Sequence, residues 1–395
     1  MSDPTTTADI TIQPFRVEVP DADLEDLQDR LHRTRWPDQI PGSDWTYGAD
    51  LATIRTLAER WTDGYDWRAY EAEVNAFDQG IATIDGQRIH FLHARSPEPD
   101  AIPLIMTHGW PGSIAEFRQV IGPLVDPVAH GGNAEDAFHL VVPSLPGYGF
   151  SGPTTEPGWD VRRVARAFAT LMAALGYDRY GAQGGDWGSM VSRQLGTVDP
   201  EHLIGIHVNM IIGFGTGGDD DRADLSAVEA SQLARFDDYM TTGNGYVSIQ
   251  STRPQTLAYG LVDSPVGLLG WITEKLWAWT DNDGDVLAAV PPDEQLTNVA
   301  IYWFTGTAGS SARLYYESMR TGAMLPPAFP DVPLGVAAFP KEIVGCRRRW
   351  VEQDYDIRRW TEMERGGHFA ALEEPDLLVD EVREFFRPLR TEVRS

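Results

Sequence analysis

The sequence contains one cysteine and comparatively few positive charges. Because Cys346 has no second cysteine to pair with, nothing in the sequence requires an oxidising compartment. Lys and Arg number 32 against 59 Asp and Glu, which gives a net charge of −27. A surface of this sign repels phosphate backbones and anionic lipids. We therefore expect neither a nucleic acid nor a membrane surface as a partner.

Long hydrophobic runs are also missing. The most apolar window, residues 257–272, is interrupted by Asp263 and Pro265, and no segment reaches the roughly 20 apolar residues that span a bilayer. The first residues lack the basic and apolar segments of a signal peptide. Neither a metal-ligand cluster nor a phosphate-binding loop is found, so we expect no metal and no cofactor. These features together predict a cytoplasmic protein.

Strands that alternate with helices dominate the organisation of the chain. Apolar strands are predicted at 102–106, 138–142 and 203–208, with helices between them. This alternation favours an α/β fold whose mainly parallel sheet has helices on both faces. The chain of 395 residues also exceeds the usual size of one domain. We predict four segments: an N-terminal extension, the first part of the core, a helical lid and the second part of the core, at residues 1–78, 79–225, 226–324 and 325–395.

The segment Gly184-Gly185-Asp186-Trp187-Gly188 has the spacing of a nucleophile elbow, with aspartate where serine is usual. An elbow is a strained turn between a strand and a helix, and its small flanking residues avoid clashes there. A carboxylate at this position, ionised near neutral pH, is suited to attack an alkyl carbon. The product is an ester that water must cleave. The elbow therefore predicts epoxide opening or halide displacement, and it excludes a serine-esterase cycle.

A second loop, at 108–113, follows the predicted strand at 102–106 directly. Its sequence is His-Gly-Trp-Pro-Gly-Ser, and a glycine-containing loop at this place can direct a backbone N–H group toward the nucleophile. We expect the N–H groups of Trp110 and Trp187 to form an oxyanion hole. The same two tryptophans are candidates for contacts with the substrate.

The predicted base is His368, in the segment Arg365-Gly-Gly-His-Phe after the last predicted strand. With a reference pKa of about 6.5, a histidine is largely neutral near pH 7 and can deprotonate water. Glu342 follows the strand that returns to the core, which suits a carboxylate that orients the imidazole. Asp354 and Asp356 are alternatives for this acid.

Ring opening leaves a basic alkoxide, so a proton donor is needed as well. A phenol, with a reference pKa of about 10, stays protonated at neutral pH and donates well. Candidates in the predicted lid are Tyr246, Tyr302, Tyr315 and Tyr316. Tyr302 is also a candidate for substrate binding. Spacing alone does not separate a proton donor from a packing aromatic residue.

With these motifs the chain resembles the microsomal-type epoxide hydrolases of the α/β-hydrolase fold, including the juvenile-hormone epoxide hydrolases. The resemblance covers nearly the whole chain, and six motifs carry it: THGWPGS at 107–113, PGYGFS at 146–151, QGGDWGS at 183–189, DSPVGL at 263–268, YWFTGT at 302–307 and RGGHFAALEEP at 365–375.

The resemblance implies a role for each of the candidate residues. It implies Asp186 as nucleophile, His368 as base, Glu342 as its acid, and Tyr246 and Tyr315 as ring-opening tyrosines. Tyr316 stays an alternative to Tyr315. The resemblance also implies that the N-terminal extension wraps the core and the lid. The membrane anchor of the mammalian members has no counterpart here, so their localisation does not transfer.

Two other functions are weighed against an epoxide hydrolase. A haloalkane dehalogenase shares the aspartate elbow, but it typically has asparagine where this chain has Trp110. A non-catalytic ligand-binding homologue would have no use for a complete set of Asp186, His368 and Glu342. The substrate classes that the resemblance implies are aryl and alkyl oxides, terpenoid epoxides and epoxides of polyketide-antibiotic precursors, in secondary metabolism or detoxification. A homodimer is left open.

Overall fold

A computed structural model describes residues 10–215, 219–324 and 329–394. Residues 216–218 of the Gly/Asp-rich loop lie outside the described residues, as does residue 325, where the second part of the core is predicted to begin. The predicted division into four segments stays a prediction.

Nine strands form one sheet, in the order β1-β2-β3-β5-β4-β6-β7-β8-β9. They are β1 Thr11–Pro14, β2 Asp78–Ile84, β3 Gln87–Ala94, β4 Ile102–Thr107, β5 Phe138–Pro143, β6 Tyr180–Gly184, β7 Leu203–Val208, β8 Phe329–Ala338 and β9 Tyr355–Glu362.

The pairing of the strands confirms the predicted fold class. From β5 through β4, β6, β7 and β8 to β9, every neighbouring pair is parallel. The other pairs, β1 with β2, β2 with β3 and β3 with β5, are antiparallel. The predicted hairpin is β2 and β3, which turn at Asp85-Gly86, both with positive φ, as a tight two-residue turn requires. Helices lie between the parallel strands, as crossover connections require.

The described residues contain seventeen α-helices. They are α1 Asp21–His32, α2 Leu51–Thr62, α3 Trp67–Val74, α4 Arg118–Val125, α5 Val161–Ala174, α6 Asp186–Val198, α7 Ala227–Asp238, α8 Gly245–Thr252, α9 Pro254–Asp263, α10 Pro265–Trp279, α11 Val286–Ala289, α12 Pro292–Thr305, α13 Ala308–Ser311, α14 Arg313–Thr321, α15 Arg348–Val351, α16 Ala370–Glu373 and α17 Pro375–Arg394. A π-helix, Tyr239–Gly243, joins α7 to α8.

The segment before β2 contacts both the sheet and the helices between β7 and β8. Its strand β1, which the sequence analysis did not predict, adds an edge to the sheet beside β2. Arg60 of α2 donates two hydrogen bonds of 2.8 Å to Asp293 of α12. The rings of Trp45 and Trp277 stack with centroids 4.8 Å apart. Exposed ion pairs add little stability, so buried apolar residues such as Trp61 and Trp67 contribute most of the adhesion.

The carboxyl ends of four parallel strands bring the chemical motifs together. The loop at 108–113 follows β4, the elbow follows β6, Glu342 comes four residues after β8 ends, and His368 lies in the loop after β9. These four strands are parallel and lie close together in the sheet, with only β7 between β6 and β8, so their carboxyl ends meet at one edge. The helices α7–α14, between β7 and β8 in the chain, supply the tyrosines that face this edge.

Within the described residues, no helix combines the length and hydrophobicity that crossing a membrane requires.

Candidate active site

The elbow holds Asp186 in a strained backbone conformation. Its φ is 47°, in the left-handed region that few residues other than glycine adopt. A Cβ atom on Gly188 would lie 1.8 Å from the Thr107 carbonyl oxygen, and one on Gly184 would lie 2.3 Å from the Gly188 carbonyl oxygen. Because larger residues do not fit at these two positions, the glycines allow the turn that raises the carboxylate above the sheet.

The loop after β4 supplies a backbone donor to this carboxylate. The Trp110 N–H group donates a 2.8 Å hydrogen bond to Asp186 Oδ1. The second donor predicted from the sequence, the N–H of Trp187, lies in the first turn of α6, where backbone N–H groups have no partner within the helix. The positive end of the helix dipole also favours a negative charge at this place.

Buried polar contacts fix the loop that carries Trp110. Leu145 N–H donates to His108 Nε2 at 3.2 Å, so the ring proton is on Nδ1, which donates to the Gly109 carbonyl at 2.9 Å. Burial lowers the pKa of His108 to about 4, which keeps the ring neutral. The Tyr302 hydroxyl donates a 2.7 Å bond to the Gly112 carbonyl. This bond makes Tyr302 a support of the loop, and its predicted contact with substrate stays a prediction.

His368 lies between two carboxylates. Its Nδ1–H donates a 2.8 Å hydrogen bond to Glu342 Oε1, and its Nε2 lies 3.4 Å from Asp186 Oδ2. The imidazole is buried, and the ring of Trp279 packs edge-on against it at 5.1 Å. The three residues that the sequence analysis selected therefore form one contiguous group.

The neighbouring carboxylates decide the charge of His368. Burial lowers the pKa of the imidazole, but the negative charges of Glu342 and Asp186 and the hydrogen bonds to them outweigh burial and raise the pKa well above 6.5. The expectation of a largely neutral imidazole, which rested on the reference pKa, is therefore wrong for the free protein. The two carboxylates thus favour the charged imidazolium form of His368 in the free protein.

Glu342 is the acid that contacts His368. Its Oε1 also accepts hydrogen bonds from the backbone N–H groups of Ile343 at 2.7 Å and Val344 at 3.3 Å, which hold the carboxylate in place. Asp356, one of the alternatives, instead accepts a 2.6 Å bond from Arg358. Asp354 directly precedes β9 and Asp356 lies in its first residues, whereas His368 follows the end of that strand.

Two tyrosines, one from α8 and one from α14, face the loop and the elbow. The Tyr246 ring stacks on Trp110 with centroids 4.9 Å apart, and the Tyr315 ring packs edge-on against Trp187 at 4.6 Å. The two phenol rings are 5.9 Å apart. Burial and the Asp186 carboxylate raise the pKa of both hydroxyl groups well above 10, so both stay protonated. Tyr246 and Tyr315 are thus the spatial pair that spacing alone did not identify.

The remaining candidate, Tyr316, points away from this pair. It is partly exposed, and Arg320 lies over its ring at 5.1 Å. Because neighbouring residues of a helix lie on different faces, α14 directs only one of the adjacent tyrosines into the site.

Sequence reasoning missed several residues that shape the site. The Tyr239 hydroxyl lies 2.9 Å from the Tyr246 hydroxyl, and burial raises its pKa to about 12. Glu373 accepts hydrogen bonds from the N–H groups of Phe369 at 2.9 Å and Asp281 at 2.6 Å and thereby fixes the loop around His368. Tyr239 begins the π-helix that precedes α8, and no local pattern in the sequence marks it as a partner of Tyr246.

Among the residues that the structure describes, no group of three or more His, Cys, Asp or Glu side chains could hold a metal ion. The arrangement instead offers an ionised carboxylate, a backbone donor to it, a His–Glu pair beside it and two protonated phenols. These groups can perform nucleophilic attack, acid assistance and activation of water.

Comparisons with known proteins identify the family. The family model "Epoxide hydrolase N terminus" matches residues 12–117, and the model "alpha/beta hydrolase fold" matches residues 102–242. Epoxide hydrolase 1 of Sus scrofa is 35% identical over 97% of this chain and 90% of its own length.

Solved structures agree with the sequence relatives. The epoxide hydrolase of Aspergillus niger has a TM-score of 0.84 and 33% identity, covering 97% of this chain and 98% of its own. The juvenile hormone epoxide hydrolase of the silkworm Bombyx mori has a TM-score of 0.88 and 28% identity, covering 98% of this chain and 97% of its own. The predicted family and enzyme class are confirmed: the chain belongs to the epoxide hydrolases of the α/β-hydrolase fold, with the microsomal and juvenile-hormone types among its relatives.

Proposed function

We propose that this enzyme converts an epoxide to a vicinal diol through an ester formed on Asp186. A carboxylate oxygen of Asp186 attacks one epoxide carbon, and the C–O bond of that carbon breaks. The alkoxide that forms takes a proton from Tyr246 or Tyr315. Water activated by His368 then cleaves the ester and releases the diol. The observation that carries the proposal is the continuous contact from the Trp110 N–H through Asp186 and His368 to Glu342.

The surroundings of Asp186 support its role as nucleophile. Its Oδ1 accepts a hydrogen bond from the Trp110 N–H group, and its other oxygen, Oδ2, lies on the side of His368. When water attacks the ester, negative charge develops on a carboxyl oxygen of Asp186, and a donor already in contact with that oxygen stabilises it without rearrangement. Removing one such donor in other enzymes costs about 10²–10³-fold in kcat.

The two tyrosines fit the role of acids because both are protonated and both lie against the loop and the elbow. A phenol transfers a proton readily to an alkoxide, which is the stronger base. Burial and the nearby Asp186 charge raise the pKa of each phenol, and the hydroxyl of Tyr239, in contact with that of Tyr246, is a further hydrogen-bond partner.

The charge of His368 orders the two steps. In the free enzyme the imidazolium ion is stabilised by Asp186 and Glu342. Ester formation neutralises Asp186, which removes one of the two charges that raise the pKa of the imidazole. The pKa therefore falls, and the imidazolium ion gives its proton to the tyrosinate that ring opening leaves behind. The neutral imidazole then accepts a proton from water. On this account His368 becomes a base only after the ester has formed.

We propose an apolar epoxide as substrate, because the walls around Asp186 are the rings of tryptophan and tyrosine residues. Aryl and alkyl oxides, terpenoid epoxides and epoxides of polyketide-antibiotic precursors all fit such walls. A panel of these classes, with chiral analysis of the diols, identifies the preferred one, and a halide-release assay with haloalkanes tests dehalogenase activity beside it.

The first prediction concerns the pKa of His368. Asp186→Ala should lower this pKa by about one to three pH units, because a neighbouring opposite charge shifts a pKa by that amount. NMR titration of the His368 ring measures it. Asp356→Ala, which removes a carboxylate bonded to Arg358, is the control and should leave the pKa of His368 unchanged. An unchanged value in Asp186→Ala contradicts the proposed charge coupling.

The second prediction concerns the ester. His368→Gln should form the ester with styrene oxide but fail to hydrolyse it, because no base activates water. Mass spectrometry of the intact protein should show an increase equal to the mass of one substrate molecule. Asp186→Ala is the matched control and should show no increase. If His368→Gln shows no increase with styrene oxide or any other member of the panel, the proposed mechanism is wrong.

The third prediction separates the neighbouring tyrosines of α14. Tyr315→Phe removes a phenol that packs on Trp187 and should slow ester formation, by about 10²-fold or more if it is the main acid. Tyr316→Phe removes a partly exposed phenol and should leave the rate within about twofold, since exposed substitutions change little. Stopped-flow tryptophan fluorescence in single turnovers measures both rates. The reverse order of effects would assign the acid to Tyr316.

A further inference from the structure

A small cavity lies beside Asp186 and His368. Its volume, measured as the space open to the centre of a water molecule, is about 20 Å³. This is room for one water molecule and far too little for an epoxide. Among the residues that line it are Thr107, Glu116, Asp186, Asn209 and His368. The cavity therefore combines the proposed nucleophile and base with polar residues that the steps above do not use.

Three polar atoms of these residues are buried without a hydrogen-bond partner among the described residues. They are Thr107 Oγ1, Glu116 Oε1 and His368 Nε2, of which the last has only the 3.4 Å contact with Asp186 Oδ2. Buried polar groups in folded proteins are nearly always hydrogen-bonded, to protein or to ordered water. A buried water molecule makes about three hydrogen bonds, within a range of two to four. One water molecule in this cavity could therefore form hydrogen bonds with all the unpartnered atoms in its walls.

Glu116 is held close to the loop that carries the oxyanion donor. A Cβ atom on Gly112 would lie only 1.2 Å from Glu116 Oε1. The carboxyl group thus occupies the space of a side chain at position 112, two residues after Trp110. Glycine at position 112 is required for this arrangement, because any larger residue would push the carboxyl group away from the cavity.

We propose that this cavity binds the water molecule that hydrolyses the ester, and that Glu116 is the residue that holds this water beside the Asp186 carboxyl carbon and His368 Nε2. This inference rests on the proposed function, since the water has a role only if an ester forms on Asp186. The epoxide then approaches from the side of the lid tyrosines, and the water from the side of Thr107 and Glu116.

The charge state of Glu116 suits this task. Burial raises its pKa to about 8, with Asp186 adding to the rise and His368 opposing it. Near pH 7 the group is largely a neutral carboxylic acid, which can both donate and accept a hydrogen bond. A neutral acid also adds no third negative charge to a site that already contains Asp186 and Glu342.

The hydrolysis step then balances without any proton transfer by Glu116. The water oxygen bonds to the carboxyl carbon of the Asp186 ester, while its proton passes to His368 Nε2. Negative charge collects on the carboxyl oxygen held by the Trp110 N–H group. The bond between the carboxyl carbon and the substrate oxygen breaks, and that oxygen takes the proton from His368. Asp186 keeps the oxygen of the water and its second proton; this proton then passes to His368 Nε2, which restores the imidazolium ion beside the Asp186 carboxylate, and Glu116 keeps its proton throughout.

The test compares two substitutions of Glu116 in single turnovers with styrene oxide. Glu116→Met keeps the length of the side chain but cannot hydrogen-bond, so the rate of ester hydrolysis should fall by about 10²-fold, the cost of misplacing a reacting group. Glu116→Gln retains a donor and an acceptor and should lose only a few-fold. In both variants the rate of ester formation should stay within about twofold of the wild-type rate, because the surroundings of the attacking Asp186 oxygen are preserved. Exposed Glu135→Gln is the control for both rates.

A nearly isosteric substitution elsewhere in the cavity keeps the test informative if the Glu116 variants fail to fold. Thr107→Val removes the unpartnered hydroxyl and should also slow hydrolysis while leaving ester formation unchanged. Accumulated ester in Glu116→Met and Thr107→Val supports the inference. Equal losses in both steps, or unchanged hydrolysis in both variants, overturn it. If wild-type enzyme and His368→Gln form no ester, the proposed function itself fails, and the inference fails with it.

Discussion

The structure of the site depends on one buried charge arrangement, the imidazolium ion of His368 between the carboxylates of Asp186 and Glu342. A buried carboxylate without a compensating charge is costly, and two such groups close together are more so. The cation between them stabilises both in the free enzyme. In the proposed mechanism, ester formation removes one negative charge, and the same cation becomes an acid that gives up its proton. The group that stabilises the resting site is thereby converted into the base for the second step.

This arrangement explains why the motifs follow different strands of a parallel sheet. Asp186, His368 and Glu342 lie far apart in the chain, and only the common edge formed by the carboxyl ends of β6, β8 and β9 brings them within contact. The backbone at each position is fixed by buried contacts: the strained turn at Asp186, the Glu373 carboxylate at the loop of His368, and two N–H groups at Glu342. Rigid supports keep opposite charges close without the entropy cost of ordering flexible side chains.

Much of this site could be predicted from the sequence, because its signals are local. The small residues around Asp186 and the position of His368 after the last strand are visible without any tertiary information. Spacing alone did not select Tyr246 and Tyr315, which only the family resemblance implied, because their pairing arises from packing between α8 and α14, which are distant in the chain. The charge of His368 was predicted wrongly, because it depends on two carboxylates that only the fold brings near. Glu116 and strand β1 were missed, because neither has a distinctive local pattern.

The most direct test of the account is one turnover in water enriched in ¹⁸O. The account predicts that the oxygen added to the substrate comes from the Asp186 carboxylate, so the first diol carries no label and the label is found in Asp186. Mass spectrometry of the diol, and of the peptide that contains residue 186, measures both. A first diol that already carries ¹⁸O would mean that water attacks the epoxide directly, which contradicts the ester on Asp186 and the ordering of steps by the charge of His368.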